Sequence, residues 1–313
     1  MAYLFVHFRE KWTDDGEQIY FALSTDGYCW EEVNNGKPVI TATKGDFGVR
    51  DIVITRTLDN SFVIMATDLA LIKNIDKKYQ GNIKNAFKDG SKAIAMWKSD
   101  DLVNWSDEIL QHFDDNSLGC FWAPGIFFDD INSEYIIHWS SSNKNDNYSG
   151  LSIYYCKTKD FKTFSKPELF YKKSDSELLD SFICKNDGIY HLFVKSADKP
   201  KAVIHETSHS LTGPYTRDKL FDEQMHSLEK SHAYEAPMVF TLSDKKICLM
   251  MDFYGCDRKE DMGYVPFLTE FSDNMKLNYA KEKFSFPYGF KHGVVMEITE
   301  KEYERIKHHS WNK

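Results

Sequence analysis

Five side chains equipped for chemistry recur at similar intervals along the chain: Asp51, Trp122, Asp180, Glu235 and His292, separated by 71, 58, 55 and 57 residues. Each stands just ahead of a short β-forming run, in Val-Arg-Asp51, Phe-Trp122-Ala-Pro, Leu-Leu-Asp180-Ser, Tyr-Glu235-Ala-Pro and Lys-His292-Gly-Val-Val. Three of the five are carboxylates. Carboxyl groups whose surroundings hold one ionised and another protonated can divide general base and general acid work between them. A third carboxylate beside the acid would raise the acid's pKa by like-charge repulsion. A single Asp at a strand start is ordinarily a turn or cap residue, so the recurrence carries the functional reading rather than any one position.

The elements that must position these residues are short strands. Apolar, β-branched or aromatic runs of mostly four to eight residues are bounded by Asp, Asn, Gly or Ser turns, among them Tyr3 to Phe8, Gln18 to Leu23, Ser61 to Ala66, Glu134 to Trp139 and Lys246 to Phe253. A turn followed by a bulky residue recurs five times, as Asp26 to Trp30, Asp101 to Trp105, Asp160 to Phe164, Ser210 to Tyr215 and Asp273 to Leu277, at intervals of 75, 59, 50 and 63 residues. Such intervals are too long for a solenoid and each holds the four antiparallel strands of one propeller blade. The expected fold is all-β, a five-bladed β-propeller. In each blade the innermost strand comes first, so Asp51, Trp122, Asp180, Glu235 and His292 converge on one pocket at the axis. The strand from Gly293 to Ile298 should complete a blade begun by the N-terminal strands, which closes the ring and removes two sheet edges.

A chain of 313 residues with 42% hydrophobic and 15% aromatic content can bury a large core, and the repeat favours one domain, 1–306, followed by a frayed tail, 307–313. The lysine-rich stretch from Leu71 to Gly90 interrupts the strand pattern as a loop or insertion. A net charge of −9 with interspersed signs argues against nucleic-acid and anionic-membrane partners and favours a neutral substrate. No secretory pattern opens the chain and no apolar run is long enough to cross a bilayer, so a cytoplasmic location is expected. The six cysteines have no C-x-x-C spacing, and reduced core or edge thiols are the expectation.

Taken in order, Gly48-Val-Arg-Asp51, Ala66-Thr-Asp-Leu69, Asp101-Leu-Val-Asn-Trp105, Trp122-Ala-Pro124, Tyr234-Glu-Ala-Pro237 and Lys291-His-Gly293 resemble glycoside hydrolase family 43 over nearly the whole length. That family contains five-bladed propellers acting as arabinanases, arabinofuranosidases and xylosidases. The resemblance implies Asp51 as general base, Asp180 as the carboxylate that tunes and orients the acid, and Glu235 as general acid of an inverting glycosidase. An oligosaccharide is then the substrate, of arabinofuranosyl or xylosyl type, with a galactoside, a fructoside or a non-catalytic sugar-binding propeller as alternatives. No cofactor is required. His292 matches the family's axial histidine, to be read either as hydrogen-bonded or as a ligand of an axial calcium ion. Two departures stand out: Ile52 replaces the family's proline after the first Asp, and Gly125 follows Trp-Ala-Pro where relatives carry an acid.

Other residues have two readings each. Arg50 would orient substrate and hold a carboxylate ionised, or form a structural ion pair. Trp122 fits a sugar-stacking platform or the core. Asp68 and Lys195 end second strands and would reach the pocket, whereas Trp139, Phe253 and Tyr254 at similar positions fit core, rim or substrate contact. His205-Glu-Thr-Ser-His209 matches a zinc-protease signature that works only on a helix, and here it lies in a strand, which argues against zinc.

Overall fold

The computed structural model describes all residues except 175, 199–200, 259–260, 273–274 and 312–313. Asp273 and Asn274 of the fifth expected turn, and the last two residues of the expected tail, therefore lie outside the described residues. The chain enters with β1 (Ala2–Phe8), β2 (Tyr20–Ser24) and β3 (Glu31–Glu32). Four-stranded sheets follow as β4 (Val49–Arg56), β5 (Phe62–Asp68), β6 (Ala93–Ser99) and β7 (Ile109–His112), then β8 (Trp122–Asp129), β9 (Glu134–Ser141), β10 (Ser152–Thr158) and β11 (Glu168–Tyr171). The next two are β12 (Leu178–Asn186), β13 (Ile189–Ser196), β14 (Ala202–Ser208) and β15 (Thr216–Arg217), then β16 (Tyr234–Thr241), β17 (Ile247–Phe253), β18 (Gly263–Thr269) and β19 (Asn278–Tyr279). Finally β20 (Lys291–Ile298) pairs antiparallel with β1, giving a fifth sheet in the order β20-β1-β2-β3. This is a five-bladed propeller closed by strands from both ends of the chain.

The apolar runs do not alternate with polar residues because both faces of each blade are covered, and a strand buried on two sides reads as continuously hydrophobic. On β1, Leu4, Val6 and Phe8 pack with Ile54, Ile64 and Trp97 of the first full blade, whereas Tyr3 and Phe5 pack with Met238, Phe240 and Met250 of the fourth. The same division on β5 sends Ile64 and Ala66 one way and Val63 and Met65 the other, toward Ile137 and Trp139. Trp139, one of the residues with an open role, is therefore core and stacks on Phe113 and Phe121. The core is thus a ring of layers between blades.

The recurring turns join the third and fourth strands of a blade. In three of them one Asp oxygen accepts two successive backbone N–H groups two and three residues on, from Tyr28 and Cys29 to Asp26, Val103 and Asn104 to Asp101, and Lys162 and Thr163 to Asp160. The aromatic residue that follows is tied to the same turn, as when the Trp30 and Trp105 indole N–H groups donate to the carbonyls of Gly27 and Leu102. One hairpin chemistry, repeated, generates the sequence period.

Two expectations need correction. β18 escaped the sequence reading because Pro266 sits in it; the outer strand β19 pairs only with Phe267 and Leu268, so the missing N–H is tolerated. Residues 307–311 of the expected frayed tail are packed. A helix at Glu300–His308 begins with a capping box between Thr299 and Glu302, and beyond it Trp311 packs edge-on against Phe21. All six cysteines are free thiols, and no helix among the described residues is long and apolar enough to cross a membrane.

Candidate active site

The innermost strands β4, β8, β12, β16 and β20 all carry the same irregularity near their first residues: two residues oppose one on the neighbouring strand. The pairs are Asp51-Ile52, Ala123-Pro124, Asp180-Ser181, Ala236-Pro237 and His292-Gly293, opposite Ala66, Trp139, Val194, Met251 and His7. In the first four blades the leading bulge residue is left-handed, with φ of 54° at Asp51, 51° at Ala123, 54° at Asp180 and 48° at Ala236. Asp adopts this conformation more readily than most residues, whereas each Ala costs about 1 kcal/mol. Bulges re-aim side chains next to active sites, and the second bulge residue leaves the ladder, which accommodates Pro124 and Pro237.

This register corrects the expected phase. Asp51, Asp180 and His292 are equivalent, but Trp122 and Glu235 come one residue earlier, level with Arg50, Leu179 and Lys291. The functional residues also lie within the inner strands rather than ahead of them, since pairing resumes upstream of each bulge.

The three carboxylates nevertheless share one site. His292 Nδ1 lies 3.1 Å from Asp51 Oδ1 and 3.8 Å from Asp180 Oδ1, and the Ala236 N–H, next to Glu235, donates to Asp180 Oδ2 at 3.3 Å. Thr67 donates its hydroxyl to Asp51 Oδ2 and accepts from the Ala123 N–H, both at 2.7 Å, which couples two bulges. The side chains of Asp51, Asp180 and His292 keep 17%, 12% and 18% of their exposure, so a small polar molecule can reach them.

Burial and mutual charge split the ionisation of these groups. At Asp51 burial acts to raise the pKa, but the His292 charge and hydrogen bond, with Arg50 and Thr67, outweigh it and hold the carboxyl below its ordinary value. At Asp180 burial wins over His292 and the pKa rises. Burial and then the Asp180 charge push Glu235 up to about 7, against the pull of Lys291. For His292 burial favours the neutral ring, yet Asp51 and Asp180 raise it to about 9, which makes it a cation between two acids at neutral pH.

The remaining candidates divide. Arg50 forms ion pairs with Glu17 at 2.8 Å and Glu10 at 3.3 Å and lies over the Phe8 ring, so it is a structural ion pair whose charge also favours ionised Asp51. Asp68 does not reach the pocket: its oxygens accept from the Asp46 N–H at 2.7 Å and the Ser91 hydroxyl at 2.5 Å, which anchors the loop before β4. Lys195 is buried, donating to the carbonyls of His232 and Tyr234, with burial lowering its pKa to about 8. Tyr254 donates to the His232 carbonyl at 2.7 Å and its ring lies 5.8 Å from Lys195 Nζ, at the edge of the site; Phe253 packs at a tilt against Tyr234. Trp122 is half-buried, edge-on to Phe87.

His292 Nδ1 is engaged by Asp51, and among the described residues no group of three or more His, Cys, Asp or Glu side chains is placed to hold a metal ion. His205, from the zinc-like signature, is buried in β14, where Nδ1 meets Asp218 at 3.0 Å and Nε2 meets His191 at 2.9 Å. His209 follows in the turn after β14.

Residues missed by the sequence reading are Thr67, Asp252 and His138. Asp252 is fully buried opposite Glu235, bonded to Lys291 Nζ at 2.8 Å and the His292 N–H at 3.1 Å. A charge inside the apolar run Met-Met-Asp252-Phe was the available signal. His138 explains Gly125. A Cβ at that glycine would lie 2.1 Å from the imidazole, which crosses β8 there to meet the Ser181 hydroxyl at 2.7 Å, beside Asp180. Burial lowers the His138 pKa to about 3, so the ring is neutral. We expect Gly125→Ala to cost about 1–3 kcal/mol through overpacking, and a Gly125→Ala, His138→Ala double variant to recover part of it, measured by urea unfolding. Additive losses would show that the two positions do not share the space.

With the site described, likeness to known proteins bears on it. At 25% identity the chain matches 240 residues of an α-L-arabinofuranosidase from Bifidobacterium longum subsp. longum, covering 66% of this chain but only 22% of that relative. The chain thus spans about a fifth of the curated relative's length. An endo-1,4-β-xylanase structure from Bacteroides thetaiotaomicron superposes with a TM-score of 0.61 at 13% identity, covering 89% of this chain and 90% of the other. An endo-arabinase from the same organism gives 0.61 at 13% identity, covering 87% and 91%. These two likenesses establish the propeller fold. The family model described as "Probable glycosyl hydrolase domain", related to glycoside hydrolase family 43, matches residues 1–304, and the chain belongs to that family.

Proposed function

We propose that this protein hydrolyses glycosidic bonds with inversion, on arabinofuranosyl- or xylosyl-type oligosaccharides. The observation that carries the reading is the meeting of three carboxylates from different blades around His292, where burial and mutual charge drive Asp51 down and Glu235 up to about 7. Asp51, ionised, takes a proton from a water molecule as that water's oxygen bonds to the anomeric carbon. Glu235, protonated, passes its proton to the departing oxygen as the glycosidic C–O bond breaks. Inversion requires roughly 6.5–9.5 Å between the two carboxyl groups so that water fits. Asp180 keeps Glu235 protonated through its charge, and cationic His292 keeps Asp51 ionised. The named activity of the Bifidobacterium relative supports starting with arabinofuranosides.

The test is a screen of nitrophenyl glycosides and short oligosaccharides with the first-formed product anomer followed by NMR. Inverted product supports the mechanism; retained product, or sugar binding without cleavage in every case, sinks it. The alkaline limb of activity should fall near pH 7, because Glu235 loses its proton as pH rises through its raised pKa. Asp180→Asn removes the neighbouring negative charge, so this limb should move to lower pH. A limb that stays in place in Asp180→Asn would leave Asp180 without its tuning role.

A further inference from the structure

We propose that His138 and Ser181 are positioning residues for Asp180: the imidazole of one blade fixes the bulge of the next, and that bulge aims the Asp180 carboxylate. This rests on the hydrolase reading above for what Asp180 does, and on a buried hydrogen bond that the reading does not use for the geometry.

A bulge leaves its own ladder, so contacts outside the sheet must set the direction of its side chain. Neighbouring blades supply them. Thr67 joins the bulges of β4 and β8, the Ala236 N–H joins the bulge of β16 to Asp180, Asp252 of β17 accepts from the His292 N–H, and His292 meets Asp51. The remaining junction is between β8 and β12. There His138 Nδ1, from β9, meets the Ser181 hydroxyl at 2.7 Å, and Ser181 is the second residue of the bulge that Asp180 leads.

His138 is 1% exposed and Ser181 8%, so water does not compete freely for this bond. Gly125 stands directly opposite His138 on β8, and a Cβ there would lie 2.1 Å from Cε1 and 2.3 Å from Nε2 of the ring. The bare backbone of Gly125 is therefore the seat of the imidazole. Either neutral tautomer makes the bond, with Nδ1 donating to the hydroxyl or accepting from it. Burial lowers the His138 pKa to about 3, so the ring is uncharged and acts on the acids through position rather than charge. Asp180 Oδ1 lies 3.8 Å from His292 Nδ1, and Oδ2 accepts from the Ala236 N–H beside Glu235. A bulge released at Ser181 loosens both contacts.

The experiment compares wild type with Ser181→Ala, with His138→Leu, which has no polar side-chain atom, and with His138→Asn, which keeps one near the position of Nδ1. The charged groups that act on Asp180 and Glu235 are Asp51, Lys195, Asp252, Lys291 and His292, and every variant retains them. The nearby phenols of Tyr254 and Tyr264 stay protonated, because burial raises both. Since the Asp180 charge raises the pKa of both Glu235 and His292, loosening it should lower both. In Ser181→Ala and in His138→Leu the alkaline limb of hydrolysis should move to lower pH by about 0.5 unit or more, about a 3-fold loss of kcat/KM above the limb. The double variant should shift no further than either single one, because both remove the same bond, and His138→Asn should restore most of the shift. An NMR titration of His292, identified by the signal lost in His292→Asn, reads the same displacement without turnover. Its pKa, about 9 in wild type, should fall in Ser181→Ala and His138→Leu. A His292 titration unchanged in both variants, or additive shifts in the double variant, would overturn the positioning pair whether or not the wild type cleaves a glycoside. Lowered His292 values in a protein that cleaves nothing would support the pair and sink only the hydrolase reading.

Discussion

Replacing Asp51 by Asn is expected to abolish hydrolysis of every glycoside, whereas Glu235→Gln should spare substrates with good leaving groups. Water activation is needed whatever departs, so losing the base should lower kcat by at least about 10³-fold on aryl glycosides and oligosaccharides alike. Protonation of the leaving oxygen matters only when the departing alcohol is a poor leaving group, and general acid catalysis is worth about 10²–10⁴-fold there. Glu235→Gln should therefore lose about that much on oligosaccharides and under about 10-fold on a dinitrophenyl glycoside, and its alkaline limb near pH 7 should disappear. Initial rates across pH for the two substrate types decide the matter. Comparable small losses in both variants would remove the division of labour and favour a sugar-binding propeller that does not cleave.

The second large effect concerns the buried ion pair of Lys291 and Asp252, the latter opposite Glu235. Lys291 and Asp252 side chains are 3% and 0% exposed and lie 2.8 Å apart. Removing one partner leaves a buried charge uncompensated, which costs about 3–5 kcal/mol. Lys291→Met should therefore lower unfolding stability by that amount. The pair also acts on Glu235 with opposite signs, Lys291 lowering its pKa and Asp252 raising it. Lys291→Met should move the alkaline limb to higher pH and Asp252→Asn to lower pH, an opposition that a purely structural role would not produce. Urea unfolding and rate profiles of both variants read the two effects. Shifts in the same direction would show that the limb does not report Glu235.

Much of this site was legible because its residues break local rules. Asp51, Asp180 and Glu235 stand in or beside strands that otherwise read as apolar, and a repeated Asx turn sets the period that groups them. The one-residue offset of Glu235 and Trp122 was not legible. A bulge is a relation between two strands, and the left-handed Ala236 beside Glu235 has no sign in its own residue type. Arg50 shows the same limit: its neighbour in sequence is Asp51, but its partners Glu10 and Glu17 sit on a loop from another blade.

Local patterns alone determined the all-β class, the blade count and the closure by both chain ends, and singled out three carboxylates that meet in one site, because strand period, turn chemistry and misplaced charges are written within a few residues. Tertiary structure decided which charges meet. Asp68, which reads like a pocket residue, is taken up by Asp46 and Ser91, whereas Thr67 beside it bridges the bulges at Asp51 and Ala123. His138 reaches another blade through the gap at Gly125. Side chains on adjacent strand positions point to opposite faces, so a single residue of register selects the acid's neighbours, and only the folded ring specifies that register.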